Sequence, residues 1–492
     1  MAQRIMVQGT MSGAGKSLLV TALCRIMRQD GLSVAPFKSQ NMALNSYVTA
    51  DGLEMGRAQV VQAQAAGLEP DVRMNPILLK PSSDVGSQLI VGGEVRGHYD
   101  ARAYFAMKRS LVPDILAAYQ SLATEHDVIV IEGAGSPAEI NLREDDIVNM
   151  GLAELVDAPV ILVGDIDRGG VFAQLLGTVA LLRPDERARV IGTVINKFRG
   201  DVEILRPGLA QLEELTGVPV LGVVPFSRAD IDDEDSLAER LNRVNEHRPI
   251  DVAVIRLPRI SNFTDFAPLE RHSALGVRYV RQLAELRNPD LVILPGTKST
   301  MDDLLWLRQT GLEMAVRKLN ERGMPVLGIC GGYQMMGERL RDPDGVERGG
   351  ELAGMGLLPC ETVFSQRKTR TRTRARVLVD ELGGIEVAGY EIHMGQTTRT
   401  GGTPFARLAD GREDGCVSGR ALGTYLHGLF DEGAMVDALA TWLLDLKGLA
   451  ATYVQTLNHR QYQDQQINLL ADEVRAALDM EAIYQAMKRF AR

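Results

Sequence analysis

Residues 7–20, VQGTMSGAGKSLLV, connect an apolar segment near the start of the chain to a segment with helical spacing. Glycines at positions 13 and 15 allow a tight loop whose backbone N–H groups can point at phosphate oxygens. Lys16 is placed to reach the β and γ phosphates of a nucleotide, and the hydroxyl of Ser17 is placed to bind Mg²⁺. An ordinary glycine-rich strand-to-helix turn is the alternative. The Lys-Ser pair at the helix start favours a phosphate-binding loop.

This loop departs from the usual pattern, GxxxxGK[ST], because Thr10 occupies the position of the first glycine and Gly9 stands one residue earlier. The resulting sequence over residues 9–17, GTMSGAGKS, resembles the dethiobiotin-synthetase-like and MinD-like branch of P-loop proteins. The resemblance implies that ATP is bound by the residues of this loop: Gly9, Thr10, Ser12, Gly13, Gly15, Lys16 and Ser17.

A nucleotide site with Mg²⁺ also needs a carboxylate. The apolar segment 128–132 ends on Glu132 and is followed by small residues, so we expect Glu132 to hold the metal directly or through water. Asp165 and Asp167 also follow an apolar segment and are the alternative. Asn196 lies at the end of another predicted strand, where its amide is placed to bind an adenine edge; a solvent-exposed loop position is the alternative.

The order of apolar segments predicts an α/β protein with two main domains. The first 225 residues alternate short apolar segments with stretches of helical spacing, the βαβ pattern of a parallel sheet covered by helices. The charged segment 227–250 predicts a linker. A second alternating region follows over 251–445, and the remainder, 446–492, is predicted to be a helical tail that packs as a cap or a subunit contact.

Composition narrows the class of protein further. Hydrophobic residues make up 45% of the 492 residues and charged residues 24%, as in a globular protein. The net charge of -10 argues against nucleic-acid binding through a general positive field. The four cysteines are far apart, which fits a reducing cytosol better than disulfides or zinc. We expect a cytoplasmic protein without a signal peptide or membrane segment, with oligomerisation left open.

The segment VLGICGGYQMMG, 326–337, places Cys330 between an apolar run and two glycines. A sharp strand-to-helix turn exposes a nucleophile, whereas a buried structural cysteine needs no such turn. A nucleophilic cysteine needs a base, and His427, at the end of a short apolar segment before a glycine, is the first candidate. His393 has a similar setting and is the competitor.

Three short motifs, GICGGYQ, GYEIHMG and TYLHGLF, occur in this order and resemble the class I glutamine amidotransferase domain. The resemblance implies that Cys330 attacks the side-chain amide of L-glutamine, giving a γ-glutamyl thioester and ammonia. The N–H groups of Gly296 and Gly331 are the expected oxyanion-hole donors. Most members carry a carboxylate two residues after the histidine. This chain has Leu429 there, which leaves the partner that orients His427 unidentified.

Residues 37–59, 75–93 and 131–142, together with the glutaminase motifs, resemble the cobalamin-pathway amidotransferase family from residue 1 to about 445. The resemblance implies ATP- and glutamine-dependent amidation of the b, d, e and g carboxylates of adenosylcobyrinic acid a,c-diamide, giving adenosylcobyric acid. The related synthase that makes the a,c-diamide is one alternative. A MinD- or ParA-like ATPase switch is another, against which the glutaminase half argues.

On this resemblance, residues 1–226 form an amide-ligase domain that binds ATP and the corrinoid, and 251–445 form the glutaminase. Lys38, at the end of the second predicted strand, is placed to steady a substrate carboxylate or a transferring phosphoryl group. Asp51 or Glu54 is a candidate further metal ligand. Three amides are expected to hydrogen-bond the acetate and propionate groups of the corrinoid: Gln40, Asn41 and Asn45. An Asn-rich surface connection is the alternative for this loop.

Overall fold

The computed structural model describes residues 2–81, 86–232, 248–451 and 456–491. The chain forms two compact units, neither of which is continuous in sequence. The first unit contains the residues up to Ala43, Leu53–Ile231 and the chain from Gln463 onward, and the second contains Leu44–Gly52 and Asp232–Tyr462. Most of the predicted linker 227–250, namely residues 233–247, lies outside the described residues.

The strands of the described residues are, in chain order, β1 (Gln3–Gly9), β2 (Val34–Phe37), β3 (Gln40–Met42), β4 (Ser46–Val48), β5 (Glu54–Gly56), β6 (Ile77–Pro81), β7 (Gly86–Val91), β8 (Glu94–Asp100), β9 (Val128–Glu132), β10 (Val160–Asp165), β11 (Val190–Phe198), β12 (Val220–Pro225), β13 (Ile250–Ile255), β14 (Leu275–Val280), β15 (Leu291–Leu294), β16 (Val326–Ile329), β17 (Arg339–Asp342), β18 (Gly350–Ala353), β19 (Cys360–Val377), β20 (Glu386–Arg399), β21 (Ala406–Leu408), β22 (Glu413–Asp414), β23 (Cys416–Ser418) and β24 (Ala421–Thr424).

The α-helices of the described residues are α1 (Lys16–Gln29), α2 (Arg57–Ala66), α3 (Ala101–Met107), α4 (Val112–Glu125), α5 (Met150–Leu155), α6 (Val171–Leu181), α7 (Pro184–Arg187), α8 (Val202–Thr216), α9 (Ala267–Arg271), α10 (Leu283–Leu286), α11 (Thr300–Gln309), α12 (Leu312–Glu321), α13 (Gly331–Met336), α14 (Gly433–Leu446), α15 (His459–Ala477) and α16 (Met480–Phe490). In the part of the chain that the structure covers, none of the helices has the length and apolar character needed to cross a membrane.

The first unit is built on a six-stranded sheet in the order β12-β11-β10-β1-β9-β2, in which neighbouring strands are parallel. Each of the apolar segments predicted in the first half supplies one of these strands. All of β9 is buried, as expected for a parallel strand covered on both faces. Because β1 lies between β9 and β10, the loop after β1 begins at the same sheet edge as Glu132 and Asp165.

A smaller sheet of the first unit has the order β3-β6-β7-β8, with β3 and β6 parallel and the other pairs antiparallel. The C-terminal helices belong to the main core of this unit. Their apolar residues at helical spacing join the same buried cluster as residues of β1 and α1: Ile467, Leu470, Val474, Ile483 and Met487. The predicted tail 446–492 is therefore divided, and its last helices are packed rather than extended.

The second unit contains a sheet in the order β14-β13-β15-β16-β24-β23, parallel except for the edge strand β23. The two parallel-sheet units confirm the predicted α/β class. A further sheet pairs the long strands β19 and β20 in antiparallel register. The basic run 367–376, RKTRTRTRAR, lies in β19, where Arg372, Arg374 and Arg376 are exposed.

Candidate active site

Four neighbouring parallel strands of the second unit end at one edge of their sheet, and each is followed by a residue of interest. Asp265 lies in the 3-10 turn Phe263–Phe266 after β13, Gly296 follows β15, Cys330 follows β16 and His427 follows β24. The carboxyl ends of strands in an open parallel sheet are where ligands bind. Residues far apart in sequence are brought together because their strands are adjacent.

Cys330 lies at the sharp turn between β16 and α13. Its backbone adopts φ 52° and ψ -108°, an unusual conformation for a residue other than glycine and one that costs about 1–3 kcal/mol. The turn is held by the Cys330 N–H, which donates to the Thr424 carbonyl at 2.8 Å. A Cβ at Gly332 would lie 1.9 Å from the Leu294 carbonyl oxygen, so only glycine fits there. The Sγ of Cys330 is 3.6 Å from the Ile392 carbonyl oxygen.

His427 is oriented by a carboxylate. Its Nδ1 is 2.7 Å from Oδ2 of Asp265, whose Oδ1 accepts the Gly428 N–H at 3.2 Å. With Nδ1 occupied, Nε2 is the ring nitrogen left to serve Cys330, whose side chain contributes to the raised pKa of His427. Burial lowers the pKa of His427, but the Asp265 carboxylate and the hydrogen bonds to Asp265 and Cys330 outweigh burial and raise it to about 10.

The competing histidine has other partners. The Nδ1 of His393 is 2.7 Å from the Gly395 carbonyl oxygen, and its ring stacks on Tyr425 with centroids 3.7 Å apart. Its neighbour Glu391 accepts a hydrogen bond from Arg412 at 2.9 Å. His427, and not His393, is thus the histidine that is paired with a carboxylate and has its pKa raised by Cys330, as expected for a base between an orienting group and a nucleophile.

The two expected oxyanion-hole residues border this constellation. Gly331 is the first residue of α13, directly after the nucleophile. A Cβ at Gly296 would lie 3.1 Å from Cε1 of His427, so this glycine packs against the base. Its carbonyl accepts the Ser261 N–H at 2.9 Å. The role of their N–H groups as oxyanion donors stays a prediction.

In the first unit, the loop after β1 wraps around the start of α1. Gly15 has φ 96°, in the left-handed region that favours glycine, and a Cβ there would lie 2.0 Å from Nδ2 of Asn196. That amide donates to the Ala14 carbonyl at 2.9 Å, so Asn196 braces the loop, and its predicted contact with adenine stays a prediction. The Nζ of Lys16 donates to the carbonyls of Met11 and Gly135 at 3.1 and 3.0 Å.

Glu132 is buried at the end of β9 and accepts three side-chain hydrogen bonds: from Ser17 Oγ at 2.9 Å, Lys38 Nζ at 2.7 Å and Gln62 Nε2 at 2.5 Å. Burial raises the pKa of Glu132, but the Lys38 ammonium and these hydrogen bonds outweigh it and hold the pKa below its ordinary value. A carboxylate kept ionised beside the loop hydroxyl is a suitable oxygen donor for Mg²⁺. The alternative, Asp165, pairs with Lys197 at 2.8 Å.

The predicted substrate residues fall in both units. In the first, Gln40 accepts a hydrogen bond from the Tyr104 hydroxyl, and Asn41 Nδ2 donates to Gln59 Oε1 at 3.0 Å. Asn45, which is buried, and Asp51, which is exposed, belong to the second unit. Glu54, the other candidate metal ligand, forms a buried ion pair with Lys80 at 2.8 Å.

Two family models match the chain in the order that the two units suggest. Residues 5–237 match the CobQ/CobB/MinD/ParA nucleotide binding domain, and residues 251–435 match the CobB/CobQ-like glutamine amidotransferase domain. Among solved structures, PurLQS from Thermotoga maritima matches at 19% identity with a TM-score of 0.33, over 41% of this chain and 100% of that chain.

Curated relatives match over nearly the whole length. The chain is 57% identical to a cobyric acid synthase of Ruminiclostridium cellulolyticum, with 99% of this chain and 98% of the relative covered. The chain belongs to the cobyric acid synthase family. Cobyric acid synthases of Lachnoclostridium phytofermentans (53% identity, 99% of both chains) and Klebsiella pneumoniae (52% identity, 99% of this chain and 98% of the relative) match similarly.

Membership in the cobyric acid synthase family confirms the predicted resemblance to cobalamin-pathway amidotransferases. The chain is an amidating ligase with a nucleotide-binding domain and a glutamine amidotransferase domain. The fold predicted for each half, a P-loop parallel-sheet domain followed by a class I glutaminase domain, is confirmed as well.

Sequence reasoning missed two residues of these sites. Asp265 stands in SNFTDF, 261–266, where three polar side chains are buried among aromatic residues: Asn262, Thr264 and Asp265. Polar residues in an otherwise apolar stretch were the available signal. Gln62 donates to Glu132 from α2. It is three residues after Gln59, which accepts from Asn41, and this spacing places both amides on one helix face.

Proposed function

We propose that this chain amidates the b, d, e and g side-chain carboxylates of adenosylcobyrinic acid a,c-diamide to give adenosylcobyric acid, with ATP and L-glutamine as co-substrates. The observation that carries the proposal is the match, at 50–57% identity over nearly full length, to relatives named cobyric acid synthase. The proposed division of labour is a ligase domain over 1–226, a linker over 227–250, a glutaminase over 251–445 and a C-terminal tail over 446–492.

The glutaminase half works through the series of Cys330, His427 and Asp265. The thiolate attacks the side-chain amide carbon of glutamine, and the developing oxyanion is stabilised by the N–H groups of Gly331 and Gly296. The imidazolium Nε2 gives its proton to the leaving nitrogen, so the C–N bond breaks, ammonia departs and the γ-glutamyl thioester remains. Water then attacks the thioester while His427 accepts a proton, which releases glutamate and restores Cys330.

The ligase half requires phosphoryl transfer to the acceptor carboxylate, followed by displacement of phosphate by ammonia. Lys16 and the loop N–H groups hold the phosphates and carry positive charge to the transferring group. When bound, Mg²⁺ would offset the negative charge of the nucleotide phosphates. Ser17 and Glu132 are the residues that would hold it, since hydroxyl and carboxylate oxygens are the donors it prefers. Lys38 forms an ion pair with Glu132 at 2.7 Å, and its proposed role is to steady an incoming carboxylate.

The decisive experiment is incubation of the full chain with ATP, Mg²⁺, glutamine and the a,c-diamide, followed by mass spectrometry of the corrinoid. We expect four successive acid-to-amide conversions, with one glutamate and one ADP formed per amide. Parallel reactions with cobyrinic acid and with no corrinoid distinguish the alternatives. Amidation of cobyrinic acid but not of its a,c-diamide, or ATP hydrolysis that does not respond to either corrinoid, contradicts the proposal.

A further inference from the structure

The basic run 367–376 has no part in the function proposed above, although it carries six cationic side chains and no acidic one. Its last part borders a cavity of about 780 Å³ in the second unit, which we call the arginine cleft. The cleft is lined by three arginines, namely Arg374 and Arg376 of β19 and Arg407 of β21. Neither Cys330 nor His427 is part of its lining. Its volume is that of a small-molecule site, about 300–1,000 Å³.

The strand register places the three arginines on one face of their sheet. Arg374 and Arg376 are two residues apart on β19, and side chains two residues apart on a strand point to the same side. Arg407 lies directly opposite Arg376 in the antiparallel pairing of β19 with β21, and opposite residues also share a face. All three arginines are exposed. Their guanidinium groups therefore belong to one exposed face that borders the cleft.

The opposition of Arg376 and Arg407 is unfavourable by itself, since like charges directly opposite each other on neighbouring strands destabilise a sheet. Arg376 is also opposite Glu386 on β20, but in the part of the chain that the structure describes these two form no ion pair. Arg407 is opposite Glu413 on β22 and reaches it at 3.6 Å. Glu413 lies closer to Arg399. Two positive charges are thus held side by side without full compensation.

The third arginine has no acidic neighbour across the strands. Arg374 is opposite Ala388, and among the described residues its guanidinium forms no ion pair. Two carboxylates, those of Asp380 and Glu386, also line the cleft, and within the described ranges neither forms an ion pair with its arginines. Positive groups therefore outnumber negative ones by three to two around the cavity, in a chain whose net charge is -10. A cleft with an excess of positive charge concentrates anions locally.

A glycine corner borders Arg376. Gly383 and Gly384 follow the 3-10 turn Asp380–Leu382, with φ of 70° and 64°, in the left-handed region that favours glycine. A Cβ at Gly384 would lie 3.5 Å from a guanidinium nitrogen of Arg376. A longer side chain at this position would cover the guanidinium, so glycine leaves this side of the group accessible to a ligand.

The lining of the cleft indicates the class of ligand. Guanidinium groups bind phosphate and carboxylate oxygens through paired hydrogen bonds, and three of them around one cavity suit a ligand with two or more anionic groups. In the part of the chain that the structure covers, the cleft is lined by no aromatic side chain that could stack on a nucleotide base. We propose that the arginine cleft is a binding site for a small multivalent oxyanion, either a condensed phosphate or a polycarboxylate. This site does not depend on the proposed function, because it uses no residue of the phosphate loop or of the glutaminase site.

Isothermal titration calorimetry of the full chain tests the proposal, with pyrophosphate and citrate as the two probes. The titrations omit Mg²⁺, which both probes bind, and include saturating ADP to occupy the phosphate loop. Wild type should bind one equivalent of at least one probe in the cleft, with a Kd below about 1 mM. Arg376→Gln and Arg407→Gln each remove one charged hydrogen-bonding group and should weaken binding by about 10- to 100-fold. Tighter binding of pyrophosphate assigns a condensed phosphate as the ligand, and tighter binding of citrate assigns a polycarboxylate.

Arg341→Gln is the matched control, because it removes the same charge from an exposed position of the same sheet, on β17, outside the cleft. This control should bind as wild type does. Arg376→Lys keeps the charge but not the planar guanidinium, so its affinity should fall between those of wild type and Arg376→Gln. The Tm of each variant, measured without the probes, establishes that it is folded.

Binding of a probe at the phosphate loop would be equal in wild type and in the cleft variants, so only the part that the cleft variants remove is assigned to the cleft. Three results overturn the proposal. The first is that wild type binds neither probe up to about 1 mM. The second is that folded Arg376→Gln and Arg407→Gln bind as tightly as wild type. The third is that Arg341→Gln loses as much affinity as they do.

Discussion

Asp265→Asn is the sharpest test of the glutaminase site, because it changes one atom of the orienting group. In the wild type, Asp265 Oδ1 accepts the Gly428 N–H and Oδ2 faces His427 Nδ1. The Gly428 N–H fixes the amide oxygen of asparagine on its side, so the NH₂ group must face Nδ1. An amide donor there forces the proton of the neutral imidazole onto Nε2. The nitrogen that faces the sulfur then cannot accept the thiol proton.

The size of the effect follows from the charge that Asp265 stabilises. Raising the pKa of His427 from 6.5 to about 10 corresponds to roughly 5 kcal/mol in favour of the imidazolium. Asp265 and Cys330 both contribute to this free energy. A hydrogen bond to a charged group contributes about 1.5–3 kcal/mol. A loss of about 3–5 kcal/mol predicts a fall in kcat for glutamine hydrolysis of about a hundredfold to several thousandfold. Ammonia-dependent amidation should persist.

Steady-state glutamate release measures this loss, and Glu391→Gln is the matched control, since Glu391 is a buried carboxylate 3.8 Å from His393. Glu391→Gln should keep most of the glutaminase rate.

The pH dependence of the stability of Asp265→Asn is a second test. A histidine with a raised pKa contributes stability fully below about pH 6.5 and loses it as the pH rises through about 10. The difference in Tm between wild type and Asp265→Asn should therefore be largest near pH 6 and shrink toward about pH 10. Near-normal glutamate release in Asp265→Asn, with an inactive Glu391→Gln, would refute the assignment.

Three further predictions concern single side chains. Cys330→Ala should abolish glutamine-dependent amidation and retain activity with ammonium salt. Cys416→Ala, at another buried cysteine of the same unit, should keep both the glutamine-dependent and the ammonia-dependent activity. Glutamine-supported turnover in Cys330→Ala excludes the thioester route. Lys16→Ala should lower amidation by about a hundredfold or more with either nitrogen source, because the charge that follows the transferring phosphoryl group is lost; a near-normal ammonia-dependent rate places ATP elsewhere. His427→Ala should lose glutamate release almost as fully as Cys330→Ala, while His393→Ala keeps a partial rate; the reverse pattern exchanges the two histidines.

The strands and the two ligand loops could be predicted from the sequence because each depends on local patterns. An apolar segment that ends on a charged or nucleophilic residue followed by glycine is a local signal for the end of a parallel strand. Glu132, Cys330 and His427 all stand at such positions, and adjacency in the sheet brings each close to its partners. Local sequence patterns were therefore sufficient to predict these residues, because the adjacency of the strands brings them close to their partners.

The exchange of segments between units could not be predicted in this way. Nothing in the composition of residues 44–52 distinguishes them from the neighbouring residues of the same Asn-rich loop, yet they belong to the second unit. Their assignment depends on the complementary partners Tyr390 and Asn262, which are more than 200 residues away in sequence. The helices of the C-terminus present the same difficulty, since an amphipathic helix indicates that it packs but not against which core.

The position of the orienting carboxylate has a functional consequence. A carboxylate at position 429 would be fixed to the same loop as His427, and the base would be oriented whenever that loop is folded. Here Leu429 is buried in the core, and the carboxylate comes from the turn after Asn262. The imidazole and the carboxylate therefore come from different loops of the second unit, at the ends of β24 and β13. The base is oriented only when both strand ends are in place, which is why the carboxylate could not be found by looking near His427 in the sequence.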